Sequence, residues 1–233
     1  MTLVDAKFGS ATCITVLDRF FLITAGHNLE KVPLKLLRVI SQEHTSCNPI
    51  EILGANYIAE PARADAVDVG WVELDAESAY AGGLAPITVD ELMPYHDLIH
   101  DIEYLLSGLP CEKYEQKFPD LVLNSYHQYV GPKIDAKPSD VDLAFYYPET
   151  GQGKNGQVVT PHPRGISGGP IWHFDVSEPD GIWRPELKLV GIFRSYYEPR
   201  REGYGVKIHH WLKLLNDDFP ELRKEIEPLL KSQ

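Results

Sequence analysis

Short apolar runs separated by turn residues set the strongest limit on how this chain can fold. The runs in its first part are rich in β-branched or apolar residues, and they are ATCITVLD, RFFLITA, LKLLRVIS, EILGANYIA, DVGWVELD and APITVD. Turn-prone LDR, GHN and AGG lie between them, which is the spacing of a β-barrel or sandwich. Eighteen glycines and eighteen prolines add further turns. The sequence therefore predicts an all-β protein.

The second part of the chain repeats this pattern and then changes it. Strand-like runs resume with YLLSGLP, DLVLNSYHQYV, DVDLAFYY, QVVT, GPIWHF, LKLVGIFRSYY and GYGVKI. The charged stretch 90–104 shows no alternation, and it is predicted to connect two β-rich halves. From His209 onward the apolar residues take helical spacing, with Trp211 and Leu215 on one side, and Pro220 is expected to begin a second helical turn.

The charge balance excludes some kinds of partner. Twenty-two basic and thirty-four acidic residues give a net charge of −12, and no basic stripe with interleaved aromatic residues is present. Such a field repels phosphate backbones and anionic lipids. We therefore expect neither a nucleic acid nor a membrane surface as partner.

The N-terminus and the cysteines indicate where the protein works. Charged residues interrupt every apolar run in residues 1–20, so no signal-peptide core is predicted, and no run is long enough to span a bilayer. Cys13, Cys47 and Cys111 are odd in number and lack the spacing of metal ligands. Free thiols are typical of a reducing compartment. The sequence predicts a cytoplasmic protein without a metal site or cofactor.

The stretch RGISGGPIW, residues 164–172, carries a candidate nucleophile. Gly165 can turn the chain so that its own N–H and that of Ser167 point into one concavity, as an oxyanion hole requires. Gly168 and Gly169 are expected to let a substrate backbone approach closely. The alternative is a glycine-rich turn in which Ser167 has no chemical role.

A serine nucleophile needs a base and a group that orients the base. His27, in ITAGHN, follows an apolar run, and Ala25 and Gly26 are small enough to bring this backbone close to a neighbouring element. Asp68, in AVDVGWVELD, directly precedes an alternating strand, and its carboxylate can orient a histidine. Asp65, in the loop RADA, is the alternative acid. A histidine at a strand end can also be purely structural.

Together these stretches resemble the chymotrypsin/trypsin-like serine peptidases. ITAGHN resembles the histidine motif of that family, DVGWVEL its aspartate strand and GISGGP its serine motif, in the same order and at intervals of 41 and 99 residues. The resemblance implies a double β-barrel with a C-terminal α-helix. Its predicted parts are an N-terminal barrel (1–90), a connector (91–103), a C-terminal barrel (104–206) and a C-terminal helix (207–233).

The same resemblance implies a function. A serine endopeptidase would hydrolyse peptide bonds with His27, Asp68 and Ser167 as its triad and the N–H groups of Gly165 and Ser167 as its oxyanion hole. GISGG also fits G-x-S-x-G, the nucleophile elbow of α/β-hydrolases. That elbow lies between a strand and a helix, whereas Ser167 is followed by Pro170 and a strand-like run, and its partners precede it in the chain.

Two residues depart from the secreted members of the family. Ile166 stands where those enzymes carry the aspartate that pairs with a newly cleaved amino terminus, and Asn28 stands in place of a disulfide-forming cysteine. Both departures indicate a bacterial-type, non-zymogen, intracellular member. Its oxyanion hole is then either preformed or set by a partner. A cytoplasmic peptidase without a zymogen switch also has to be restrained by narrow specificity, an inhibitor or a partner, and we expect a separately encoded regulatory protein.

Specificity and the competing functions stay open in the sequence. Counting back from the serine places Pro161 and His162 at the base of the family's primary pocket, which argues against a preference for basic side chains. His162 can donate to a polar or acidic side chain, and Arg194 and Arg201 can add positive charge, but the position of His162 between two prolines favours an exposed loop residue. The alternatives to a peptidase of peptides or proteins are a catalytically silent protease-like module that binds a peptide or partner, and an esterase.

Overall fold

A computed structural model describes the chain at residues 9–39, 50–59, 67–93, 103–111, 114–116, 121–123, 127–132, 134, 139–153, 155–175 and 186–231. Two main sheets and two hairpins make up most of this part. Among the described residues, no helix is both long and apolar enough to cross a membrane. Cys47, Asp65 and most of the predicted connector, including Pro94, lie outside the described residues.

The first sheet comes from the N-terminal part of the chain. Its described strands are β1 (Thr12–Val16), β2 (Arg19–Thr24), β3 (Ile52–Ala59), β4 (Asp68–Leu74) and β5 (Ile87–Thr88). They lie in the order β3-β4-β2-β1-β5, and the pairs are antiparallel except β1 with β5. Strand β2 is almost wholly buried, because β1 and β4 pair with its two edges and both its faces are covered.

The second sheet comes from the rest of the chain. Its described strands are β6 (Glu103–Gly108), β9 (His127–Pro132), β10 (Asp142–Tyr146), β13 (Pro170–Asp175), β14 (Glu186–Tyr197) and β15 (Glu202–Lys207). They lie in the order β10-β15-β14-β13-β6-β9. Two separate hairpins pair β7 (Tyr114–Gln116) with β8 (Leu121–Leu123) and β11 (Thr150–Gly153) with β12 (Gly156–Val159).

Helices are few and short, apart from the C-terminal pair. They are α1 (Gly26–Leu29), α2 (Ala76–Ala81), α3 (Ile208–Asp218) and α4 (Arg223–Leu230). Among the described residues, 3-10 turns span Leu34–Leu36, Val89–Glu91, Glu198–Arg200 and Pro220–Leu222. The all-β expectation with a helical C-terminus is confirmed, and Pro220 begins a helical turn as predicted. The predicted domain limits stay predictions.

One predicted strand is wrong. LKLLRVIS was expected to be a strand, but residues Leu34–Leu36 form a 3-10 turn in which both leucines are exposed. Pro33 directly precedes this turn and has the extended backbone of an N-cap residue. None of the described strands pairs with residues Leu34–Leu36. An apolar run without a partner strand has no ladder to join, so its composition alone does not make a strand.

One core joins the two sheets to the C-terminal helix. It contains Ile14, Val69 and Trp71 from the first sheet, Leu189 and Ile192 from β14, and Trp211 and Leu215 from α3. The indole N–H of Trp71 also donates to Asp218 at the end of α3, at 2.7 Å. Burial of this much apolar surface holds the sheets together, and the predicted site residues lie where the sheets meet.

Candidate active site

The turn that carries His27 requires a glycine before the histidine. Strand β2 ends at Thr24, and the single-turn helix α1 begins at Gly26. A Cβ on Gly26 would lie 2.2 Å from the carbonyl oxygen of Ile58 and 3.0 Å from that of Val69. The turn therefore packs against the backbones of β3 and β4, as the small residues before His27 predicted.

Asp68 holds His27 with both carboxylate oxygens. Oδ1 accepts the backbone N–H of His27 at 2.8 Å, and Oδ2 lies 2.7 Å from its Nδ1. The Asp68 side chain is 5% exposed and that of His27 is 34% exposed, so the acid is shielded while the ring reaches solvent. A carboxylate only accepts, which places the imidazole proton on Nδ1 and leaves Nε2 with a lone pair.

Ser167 lies beside the histidine turn, but its hydroxyl is hydrogen-bonded to another residue than His27. The Ser167 carbonyl accepts from the backbone N–H of Ser10 and from the side-chain amide of Asn28, both at 2.8 Å. Because Asn28 follows His27, these bonds bring the serine loop against the turn. The Ser167 hydroxyl donates to the Arg194 carbonyl at 3.3 Å, and within the described part of the chain it shares no hydrogen bond with His27.

The glycines after Ser167 are required by the protein itself. A Cβ on Gly168 would lie 1.9 Å from the carbonyl oxygen of Ser10, and one on Gly169 would lie 2.2 Å from that of Ser107. Gly168 also has φ +92°, which disfavours other residues. The expectation that these glycines also let a substrate backbone approach stays a prediction, and the structure adds a second reason for them, which is close packing against Ser10, Thr24 and Ser107.

Gly165 and Ser167 have backbone N–H groups without a hydrogen-bond acceptor in the described part of the chain. Gly165 has φ +93°, and the carbonyl of Arg164 before it accepts the Cys111 N–H at 2.7 Å. In a planar trans peptide the N–H points opposite to the carbonyl, so the Gly165 N–H points away from Cys111. Among the described residues, neither the Gly165 nor the Ser167 N–H has a hydrogen-bond acceptor. Each of these N–H groups is therefore free to donate to an acceptor outside the described part of the chain.

Ile166 holds the loop from its apolar side. Its side chain is 2% exposed and packs in a cluster with Tyr104, Phe145, Ile171 and Phe193 of the second sheet. In the same loop, the Gly168 N–H donates to the Phe193 carbonyl at 2.8 Å. Apolar packing and backbone hydrogen bonds therefore position the residues on both sides of Ser167 without an ion pair at position 166.

His162 and Arg194 are placed differently from each other. His162 is exposed, its ring lies edge-on to Tyr196, and its Nδ1 accepts the Arg164 N–H at 3.2 Å, which leaves Nε2 as the donor of the neutral ring. The Arg194 guanidinium is 11% exposed and pairs with Asp142 at 2.8 Å. Arg194 therefore contacts the site through its carbonyl, while its charge is compensated by Asp142.

No sequence pattern predicts the polar residues that join the two sheets here. The Thr24 hydroxyl donates to the Ser10 carbonyl at 2.8 Å and accepts from the Asn28 amide at 2.9 Å. A Cβ on Gly9 would lie 2.4 Å from the same amide. In the sequence, Asn28 is notable only because it stands where related enzymes carry a cysteine. In the structure, its side-chain amide donates hydrogen bonds to Thr24 and to the Ser167 carbonyl.

Two cysteines are free thiols, Cys13 and Cys111. Burial raises the pKa of Cys13 from an ordinary value of 9.0 to about 12, and burial also raises the pKa of Cys111. Among the described residues, no group of three or more His, Cys, Asp or Glu is arranged to hold a metal ion.

Comparison with known proteins finds likeness in structure alone. No family model matches this chain, and no curated protein matches it significantly. A human heparin-binding protein superposes with a TM-score of 0.57 at 11% identity, covering 90% of this chain and 86% of its own. An atomic-resolution structure of HBP gives 0.56 at 10% identity, with coverage of 90% and 86%. A Glu endopeptidase in complex with MPD gives 0.52 at 13% identity, with coverage of 93% and 95%.

These likenesses extend over nearly the whole chain, and at such identities they show the fold alone. The fold is that of the chymotrypsin-like serine proteases, as the three motifs predicted.

Proposed function

We propose that the protein is a serine endopeptidase in which Ser167 is the nucleophile, His27 the general base and Asp68 the group that orients the base. The observation that carries the proposal is the double contact of the buried Asp68 carboxylate with the N–H and Nδ1 of His27. This contact leaves Nε2 as the basic atom of a ring held beside the serine loop by Asn28.

The proposed reaction begins with a rotation of the Ser167 side chain. Its hydroxyl leaves the Arg194 carbonyl, donates its proton to Nε2 of His27 and attacks the substrate carbonyl carbon. The carbonyl oxygen takes the negative charge and accepts hydrogen bonds from the N–H groups of Gly165 and Ser167. The imidazolium then protonates the leaving amine, and water hydrolyses the acyl-enzyme by the same steps in reverse order.

The oxyanion hole of this proposal needs no proteolytic activation. The bond from Cys111 to the Arg164 carbonyl and the buried Ile166 side chain support a hole that is already formed. Both features favour the non-zymogen type that the sequence indicated. The bacterial type, the cytoplasmic location and a separately encoded regulatory partner stay predictions.

For the substrate, we propose a preference for an acidic side chain next to the scissile bond. His162 supports this choice, because its Nδ1 is occupied by the Arg164 N–H and Nε2 is left to donate to a carboxylate. The structural neighbour named as a Glu endopeptidase has the same fold and agrees with it. His162→Ala should raise the KM for a peptide with Glu at this position and leave a Leu peptide unchanged. An equal effect on both peptides would contradict the preference.

Active-site labelling tests the triad directly. A fluorophosphonate should label the wild-type chain at Ser167 and should not label Ser167→Ala or His27→Ala. In a peptide-library assay, Ser167→Ala should lower kcat by about 10⁶ if the three residues act as a unit. Circular dichroism shows whether each variant is folded. Labelling that persists in folded Ser167→Ala would overturn the assignment.

One observation favours a second candidate, a protease-like module that binds peptides without cleaving them. The Ser167 hydroxyl donates to Arg194 rather than to His27. Such a module would bind library peptides saturably and release no products, whereas turnover excludes it. An esterase would use the same residues, and it is distinguished by cleavage of aryl esters without cleavage of peptides.

A further inference from the structure

Ser10, two residues before β1, uses all of its hydrogen-bonding groups in buried contacts. Its N–H donates to the Ser167 carbonyl at 2.8 Å, and its own carbonyl accepts the Thr24 hydroxyl at 2.8 Å. Its hydroxyl donates to the Gly165 carbonyl at 3.0 Å and accepts the Leu109 N–H at 3.1 Å. Ser10 is only 8% exposed, so these bonds are shielded from water.

The Ser10 hydroxyl forms a hydrogen bond with the carbonyl of the peptide group that follows Gly165. It joins the carbonyl of Gly165 to the N–H of Leu109, in the segment that follows β6. Two residues further on, Cys111 holds the peptide before Gly165 through the Arg164 carbonyl. The peptides on both sides of Gly165 are therefore held by one short segment, and one of the two links passes through Ser10.

We infer that Ser10 is a positioning residue of the oxyanion hole, whose hydroxyl holds the Gly165 carbonyl and so fixes the peptide that lies between the Gly165 N–H and the Ser167 N–H. The inference rests on the proposed function of Ser167. Without the hydroxyl, the Gly165 carbonyl and the Leu109 N–H lose their shared partner, and groups left unpaired in a buried place reorganise to find new ones. A glycine at φ +93° has other accessible conformations, so the peptide after Gly165 can rotate and change the direction of the Gly165 N–H relative to that of Ser167.

The first test compares kinetics in Ser10→Ala and in a matched control. Losing one oxyanion donor lowers kcat by roughly 10²–10³, and a donor that is misdirected part of the time should lower it by roughly tenfold to a hundredfold. KM should stay within about twofold, because the ground-state peptide does not use the hole. The control, Thr15→Ala, removes a hydroxyl that also bonds to backbone carbonyls but lies away from the site, and it should leave kcat unchanged.

A second pair of measurements separates positioning from a general structural role. A peptidyl boronic acid, whose adduct carries an oxygen in the hole, should bind Ser10→Ala more weakly by the same factor as the loss in kcat. The uncleaved product peptide should bind equally to both proteins. Ser10→Thr keeps the hydroxyl and should restore most of kcat. Thr24→Val removes a different bond to Ser10 and should lower stability more than kcat.

The outcomes distinguish this inference from the proposed function. If wild type neither cleaves peptides nor takes the fluorophosphonate, the proposed function fails. The inference on Ser10 is then tested by NMR of protein labelled with ¹⁵N-glycine, in which Gly165→Ala assigns the Gly165 amide signal. This signal should shift or broaden in Ser10→Ala and should stay in place in the control Thr15→Ala. A Gly165 signal that does not move in Ser10→Ala would overturn the inference. If the enzyme is active, a kcat of Ser10→Ala within twofold of wild type, or a change in KM alone, would overturn it as well.

Discussion

Replacing Asp68 with asparagine changes the proton on one nitrogen of His27 and almost nothing else. Asparagine has the size and shape of aspartate, so its Oδ1 can keep the bond to the His27 N–H, which is 2.8 Å in the native chain. Its Nδ2 takes the place of Oδ2, 2.7 Å from Nδ1 of His27, and this group donates. Nδ1 must then accept, which moves the ring proton to Nε2, the atom that has to take the proton of Ser167.

The expected loss is large in rate and small in stability. A wrong tautomer lowers kcat by about 10⁴ where this constellation operates, which is about 5.4 kcal/mol in activation free energy. The number of hydrogen bonds to His27 is unchanged, so the free energy of unfolding should change by about 1 kcal/mol or less. Single-turnover cleavage of an activated ester measures the first quantity, and urea denaturation measures the second.

The comparison needs two further variants. Asp18→Asn removes an exposed carboxylate from the β1–β2 turn and should affect neither quantity. Asp68→Ala removes both bonds to His27, so it should lose activity and stability together. If folded Asp68→Asn keeps its kcat within about tenfold of wild type, Asp68 does not set the tautomer of the base, and the proposed proton transfer is refuted.

Three other predictions concern the framework of the site. Gly168→Ala should lower the free energy of unfolding, measured with urea, by at least about 2 kcal/mol, because Gly168 has φ +92° and the new Cβ would lie 1.9 Å from a carbonyl oxygen. Gly156→Ala is the control. Gly156 also has a positive φ, +112°, but the space around it is open, so the loss should be about 1 kcal/mol. Arg194→Met removes an ion partner of Asp142, whose side chain is 8% exposed, and should lower the free energy of unfolding by about 3 kcal/mol. Adding Asp142→Leu should recover most of this loss, and a loss under about 1 kcal/mol in Arg194→Met would contradict a stabilising pair. Because the pKa of Cys13 is about 12 in the folded chain and 9.0 ordinarily, the unfolded chain loses this proton first. Stability should therefore fall as pH rises above about 9, and less so in Cys13→Ala, when urea midpoints are compared at several pH values.

The local pattern was enough to predict much of the site. Turn residues and apolar runs indicated where most strands lie, and the residues before His27 predicted a close backbone approach that Gly26 makes to β3 and β4. The position of Asp68 directly before a strand predicts that it orients His27, and its carboxylate does contact His27, whereas Asp65 lies outside the described residues. These inferences need only short-range information, since a strand end or a glycine turn is visible in a few consecutive residues.

The sequence could not show what the loop around Ser167 packs against. Gly168 faces the carbonyl of Ser10, which is more than 150 residues away in the chain, so the reason for the glycine is a contact between two sheets. The contacts of Ser10 with Gly165 and Ser167 could not be predicted for the same reason, since a serine before a strand has no distinctive sequence pattern. For LKLLRVIS, composition suggested a strand, but a strand also needs a partner, and pairing is decided by the whole sheet.

The two departures from the secreted enzymes have a common physical consequence. In place of an aspartate held by an amino terminus, the loop has the buried Ile166, and in place of a disulfide it has the Asn28 amide bonded to Ser167. An apolar side chain and a neutral amide do not titrate, whereas an amino terminus loses its charge near pH 8. The proposed oxyanion hole, held by such groups, is therefore expected to keep its shape in alkaline solution and under reducing conditions. Its geometry would depend on packing and on hydrogen bonds such as that of Ser10, so we expect substitutions at residues that do not touch the substrate to change kcat.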